Sequence, residues 1–323
     1  MVDKEDRDAA LTVLSGIDIA NCEDPEILEL YLAVRPHELP FKTMVDILDR
    51  ILANTYRASD VLQYTITKGI AYCLINEIPE GCHIMGEAIS QYRSLAAEHK
   101  TLNGDWHLAN GLQFLGEFEG KPTVVRESIT CYIALQQKVS DMKYAAPYSA
   151  DLEKSLGDCW SFLGNYDEAV RHYDASLKQE SADLTRIFLA RAQANLGAMK
   201  AARETLLSVD SLQFDVYAHY DFAMSWACLA TQSLDSEDIE TAKLHLKKAQ
   251  PFWPIFVSHR DSALIGLLEM SPRKTREGFR SLMKVLNRYV SLNPNLFGIG
   301  INVNRIVDDV GAIDTNRISN KTS

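Results

Sequence analysis

The sequence predicts an all-α protein, an α-solenoid of stacked antiparallel helix hairpins. Three observations predict it. Along most of the 323 residues, apolar side chains recur at the three-to-four spacing of one helix face. Sustained period-two alternation is missing and few segments are rich in Val, Ile or Thr, so no sheet is expected. A pattern of small residues repeats along the chain at the interval of helical-hairpin arrays.

The bulk numbers agree. A hydrophobic fraction of 46% excludes a disordered chain, and 16 Gly with 10 Pro is too little for a linker. The length exceeds one ordinary core, so the choice lies between two domains and one elongated array. The net charge of −11 argues against a general nucleic-acid binder, which needs clustered cations. No apolar run reaches the roughly 20 residues of a membrane span. The start, Met1 to Asp8, is densely charged and unlike a secretory leader. The expectation is a soluble, cytoplasmic protein. Six cysteines at wide, irregular spacings, with no Cys-x-x-Cys, read as buried free thiols.

Proline marks the helix starts. Asp24-Pro25 and Ser271-Pro272 each place a good N-cap before proline at the first helical position, where its missing N–H is not needed. Residues 1–107 are expected to form degenerate hairpins, 108–291 the regular repeats, and 292–323 a capping helix and tail, all in one array. Within the repeats, Gly164-Asn-Tyr-Asp-Glu-Ala169 returns 33 residues later as Gly197-Ala-Met-Lys-Ala-Ala202. In each unit a small residue of the first helix precedes a small residue of the second by 12 positions: Gly116 and Ser128, Gly157 and Ala169, Ala190 and Ala202, Ala230 and Ala242, Gly266 and Gly278. Two helices approach closely only where side chains are small. A hairpin cannot bury its own face, so the units must stack.

The run Leu156-Gly157-x-x-Trp160, then Gly164-x-Tyr166-x-x-Ala169-x-x-x-Tyr173, resembles the tetratricopeptide repeat (TPR) family. The likeness is strongest over 150–209, fair over 108–138 and 223–290, and weak before residue 100. Ser181 stands where the family has its terminal proline, and spacings of 40 and 41 between several units exceed the family's length of about 34. The resemblance implies a right-handed superhelix whose first helices line a concave groove. Near the end, Pro294 and Phe297 before Gly300-Ile301-Asn302 distantly resemble the adaptor-binding helical region of stress-kinase regulators.

No catalytic constellation emerges. Gly116-Glu-Phe-Glu-Gly120-Lys121-Pro122 misses the phosphate-loop spacing, and Pro122 replaces its Ser or Thr, so it reads as an inter-helix turn. Gly298-Ile-Gly300 lacks a preceding strand and a third glycine. No His-Glu-x-x-His or Gly-x-Ser-x-Gly occurs. His172 and His245 are expected to be partly exposed on second helices, and His259-Arg-Asp261 to make a surface or inter-repeat contact. Glu237-Asp238 is expected to be solvated or to sit in the first turn of a helix, where the dipole favours acids. Neither metal nor cofactor is called for.

Two features suit binding. Helical phasing puts Lys154, Asp158 and Phe162 on the groove face, followed by Ile187, Arg191 and Asn195, with Met224 and Thr231 beyond. Mixed charge with apolar residues suits a peptide or partner segment. The resemblance implies a test for the chaperone-binding class, which clamps a carboxylate with Lys and Asn. Lys154 fills one place, but Asp158 stands where Asn is needed, and Phe188 and Cys228 replace further polar contacts. The second feature is a basic stripe, Arg273, Arg276, Arg280, Lys284 and Arg288, on one face of a helix from 272 to 291. The expected function is a non-catalytic scaffold or adaptor for a protein or peptide partner. The alternative is a regulatory sensor that binds an anionic ligand or nucleic acid through the stripe. The oligomeric state is not legible.

Overall fold

The computed structural model describes residues 12–34, 41–140, 146–211, 216–249, 259–269 and 277–278. The described residues are all-helical and contain no strand. In chain order they form α1 (Pro25–Val34), α2 (Phe41–Ala53), α3 (Ala58–Leu74), α4 (Ile78–Ser94), α5 (Leu102–Phe118), α6 (Pro122–Val139), α7 (Ala146–Phe162), α8 (Tyr166–Gln179), α9 (Asp183–Asn195), α10 (Met199–Leu207), α11 (Val216–Ser233), α12 (Ser236–Ala249) and α13 (His259–Leu268), with a 3₁₀ turn at Ala97–His99. The chain divides into two compact units, residues 1–135 and 136–323. The expected capping segment 292–323 and the Ser271-Pro272 start lie outside the described residues.

Helix starts follow the local chemistry. The Asp24 carboxylate accepts from the Glu26 amide at 2.9 Å, and Pro25 opens α1. Thr101 caps α5 by accepting from the Gly104 amide at 3.0 Å, and Asp235 accepts from the Glu237 amide at the head of α12. Pro122 is the first residue of α6, as the turn reading requires. Helix ends repeat one device. Asn76, Gly120, Gly164, Gly197 and Leu234 follow α3, α5, α7, α9 and α11, and each has positive φ. At the first four, the next amide bonds back to a carbonyl five residues earlier, as Asn165 does to Trp160 at 3.0 Å.

Packing is between near neighbours. In unit 1, α3 packs against α2, α4 and α5. In unit 2, α7 packs on α8, α9 on α8, α10 and α11, and α11 on α10, α12 and α13. The small residues sit where helices meet. Ala169, Ala190, Ala202, Ala230 and Ala242 have no exposed surface, and neither has Ser128, whose hydroxyl donates to the Ala109 carbonyl at 2.7 Å. A Cβ on Gly157 would lie 2.6 Å from the Tyr173 ring, and one on Gly116 would lie 2.6 Å from Val125. Gly266 departs from the pattern: it is exposed, and an added Cβ there would meet no described atom. A further pair of this kind precedes residue 100, where the repeat signal is weak. Gly69 and Gly81 bring α3 against α4, and a Cβ on Gly69 would lie 2.8 Å from the Gly81 carbonyl oxygen.

Unit 1 holds Leu28, Ile47 and Ile51 in one cluster and Leu62, Ile66, Met85 and Tyr92 in another. Unit 2 gathers Tyr173 and Leu189 in one, and Ile187, Met224, Leu229, Leu246 and Leu264 in a larger one. All six cysteines are free, and four are buried, Cys73, Cys82, Cys159 and Cys228. Burial among apolar neighbours pushes the Cys73 thiol up to about 12.

Candidate functional site

The groove residues read from the sequence fall in unit 2, on helices that alternate along the chain. Lys154 and Asp158 lie one turn apart on α7, and their side chains form an ion pair at 2.7 Å. The Tyr173 hydroxyl of α8 donates to the other oxygen of Asp158 at 2.7 Å. The Lys154 ammonium also lies 4.9 Å from the centre of the Phe188 ring of α9. Burial opposes its charge, but the Asp158 carboxylate outweighs that and holds Lys154 above the ordinary lysine range. Its neighbours hold this lysine in place, and Asp158 already neutralises it.

The next step is made by α9. Arg191 forms an ion pair with Asp261 of α13, and the Tyr220 hydroxyl of α11 donates to the second oxygen of Asp261 at 3.0 Å. Burial opposes the guanidinium charge, but Asp261 overrides it and drives the pKa of Arg191 upward. Burial and the adjacent Asp261 both raise the Tyr220 hydroxyl, which therefore stays protonated as the donor. His259-Arg-Asp261 thus contributes an inter-helix contact through Asp261. Asn195 donates its side-chain amide to the Arg191 carbonyl at 2.8 Å, one turn along α9.

Asp221 of α11 completes the cluster. Its carboxylate feels the charges of Arg191, Asp261, Lys154 and Asp158. It is partly exposed, and among the described residues its oxygens make no hydrogen bond. Burial raises it from the ordinary carboxylate value to about 7, and the two cations only partly offset that shift. Lys154 and Arg191 therefore face three carboxylates, Asp158, Asp221 and Asp261. Two of the three are paired, and the formal balance is one negative charge.

The remaining predicted residues divide. Phe162 is 37% exposed at the C-terminal end of α7 and can meet a partner. Ile187 is fully buried and belongs to the core, which corrects its assignment to the groove surface. The reason is local: α11 crosses there, and the Ser225 hydroxyl donates to the Ile187 carbonyl at 3.1 Å. Met224 is buried for the same reason. The basic stripe Arg273, Arg276, Arg280, Lys284 and Arg288 lies outside the described residues.

The histidines of the second helices also need correction, since both are buried. His172 bonds Glu153 at 2.6 Å through Nδ1. His245 meets His219 with Nδ1 to Nδ1 at 3.0 Å and lies edge-on to Phe222. Burial lowers His245 to about 4, with Lys248 and His219 adding to the shift. Asp238 sits in the first turn of α12 as expected, but it is fully buried and held by Arg203 and Ser233. Among the described residues no group of three or more His, Cys, Asp or Glu is placed to hold a metal ion, and no helix is long and apolar enough to cross a membrane.

Sequence reasoning missed Tyr220 and Asp221. The available signal was that Asp221 is the sole carboxylate of α11, which carries no Lys or Arg. Phasing by repeat position did not reach it, because it lies a full turn before the positions compared. No family model matches the chain, and no curated protein matches it.

Proposed function

We propose that the chain is a non-catalytic interaction module, a cytoplasmic scaffold or adaptor whose helices form a TPR-like solenoid of antiparallel hairpins. Three features support the architecture. Left-handed turns recur between α3 and α4, α5 and α6, α7 and α8, α9 and α10, and α11 and α12. Small residues stand at the contacts within most of these pairs. First helices pack on first helices, α7 on α9 and α9 on α11. On this reading α7, α9 and α11 line the groove.

The observation that carries the function is the polar cluster itself. Successive first helices deliver partly exposed charged groups to one electrostatic neighbourhood, flanked by the exposed ring of Phe162. Prearranged, partly desolvated polar groups beside an aromatic anchor suit recognition of an extended segment. Catalysis is the weaker reading, because Asp158 and Asp261 already take two donors each and both cations are paired. The departure from the carboxylate-clamp pattern acquires a physical reason: Asp158 occupies Lys154.

The test is a random-peptide display selection against the full chain, followed by rebinding to Phe162→Ala. Selected peptides should lose most of their affinity to that variant while its melting temperature stays unchanged. Peptides that bind both proteins equally would exclude the groove. Arg191 is not a suitable probe, because its removal strands Asp261.

A further inference from the structure

We infer that Asp221 is the receptor for an ammonium or guanidinium group, so that the groove selects a partner segment carrying Lys or Arg at one fixed position. The inference rests on the groove reading above and names the chemistry of its occupant. It stands first on hydrogen-bond geometry. Asp158 takes Lys154 and Tyr173, and Asp261 takes Arg191 and Tyr220, so neither needs a ligand. Asp221 takes no donor among the described residues, yet it is partly open to solvent. Second, among the described residues the cluster formally carries one negative charge more than its cations neutralise. Lys154 and Arg191 cannot supply the missing partner, because each is already committed to another carboxylate. Third, the whole chain carries −11, which steers basic segments toward it.

Among the described side chains, the neighbouring elements supply no competing donor for Asp221. Of the helices packed on α11, α9 presents Arg191, held by Asp261 of α13. α10 presents Arg203, held by Asp235 and Asp238. α12 presents His245, engaged with His219. A cation arriving at Asp221 would stabilise the ionised carboxylate and expel the proton that burial favours there. Affinity should then rise by about tenfold between pH 6 and pH 8 and level off above, as for any site that must lose one proton near neutrality.

The probe is an array of decapeptides in one neutral background, with Lys, Arg, norleucine, citrulline or Glu walked through each position. It is read against the full wild-type chain, Asp221→Asn, Asp221→Glu and Phe162→Ala. The expected result is a preference of tenfold or more for Lys over norleucine, or Arg over citrulline, at one position. Asp221→Asn should erase that preference and its pH dependence while melting no lower than wild type, and Asp221→Glu should retain it. A cation preference that survives Asp221→Asn, a preference for Glu, or no charge preference would overturn the inference. If binding needs Phe162 but ignores charge, the groove stands and only the role of Asp221 falls. If no peptide binds the wild-type chain, both fall.

Discussion

Arg191 shows how one residue can be both a site element and a structural one. Its partner Asp261 is nearly buried, so Arg191→Ala leaves a carboxylate with the Tyr220 hydroxyl but without its cation. The expected destabilisation is about 2–4 kcal/mol, somewhat below the range for fully buried pairs because Arg191 keeps some exposure. Chemical denaturation of Arg191→Ala should show it, and Asp261→Asn in the same background should recover part of the loss. Asp221 sets a second effect. Its folded pKa of about 7 lies above the ordinary 3.8, so the folded state holds a proton that the unfolded chain has already released. That contribution is complete below about pH 4 and is lost as the pH rises through 7. Asp221→Asn should therefore melt increasingly higher than wild type from pH 4 to pH 8. His245 works in the opposite sense: with a folded pKa of about 4, it costs stability as the pH falls from about 6.5. A melting-temperature difference between Asp221→Asn and wild type that stays constant with pH would contradict the assignment.

Among the elements, the helix pairs are where sequence and structure agree best. The buried small residues and the proline starts were legible because close helix contact needs small side chains and proline suits a first helical turn. The Gly69–Gly81 contact was not, because the residues around it depart from the repeat pattern even though the glycines keep the 12-residue spacing. Gly157→Ala tests the principle at the strongest repeat. The new methyl would lie 2.6 Å from the Tyr173 ring, whose hydroxyl is fixed on Asp158. The ring cannot retreat without loosening that bond, so a loss of about 1–3 kcal/mol is expected in thermal or chemical unfolding. Ile187 and His245 show the limit of one-face phasing. In unit 2, α9 and α11 each pack against four other helices, and more of their circumference is buried than a single apolar stripe predicts. Surface assignments made from periodicity failed at Ile187, which faces α11, and at His245, which faces His219 and Phe222 of α11.

At the scale of the whole molecule, stability is distributed over several clusters. Native-state hydrogen exchange should accordingly show graded protection. The helices around Ala190, Ala227 and Leu229 should be slowest in unit 2, and α1, with few buried residues, among the fastest in unit 1. Uniform protection across both units would argue for a single cooperative block. The half of the polar cluster on α7 and α9 was readable because Lys154, Asp158 and Arg191 stand at the one-turn spacing of a helix face. The half on α11 and α13 was not, because Asp221 and Asp261 come from different helical levels and meet only through packing.

The bond from Arg191 to Asp261 joins residues 70 apart in sequence. Most of the packing needs only adjacent helices, so most of the fold can form while the chain is still being made. The negative cluster cannot. Until α13 has emerged and docked, Arg191 lacks its Asp261 carboxylate, so the charge balance of the cluster, and any binding that depends on it, is complete only with the last described helix.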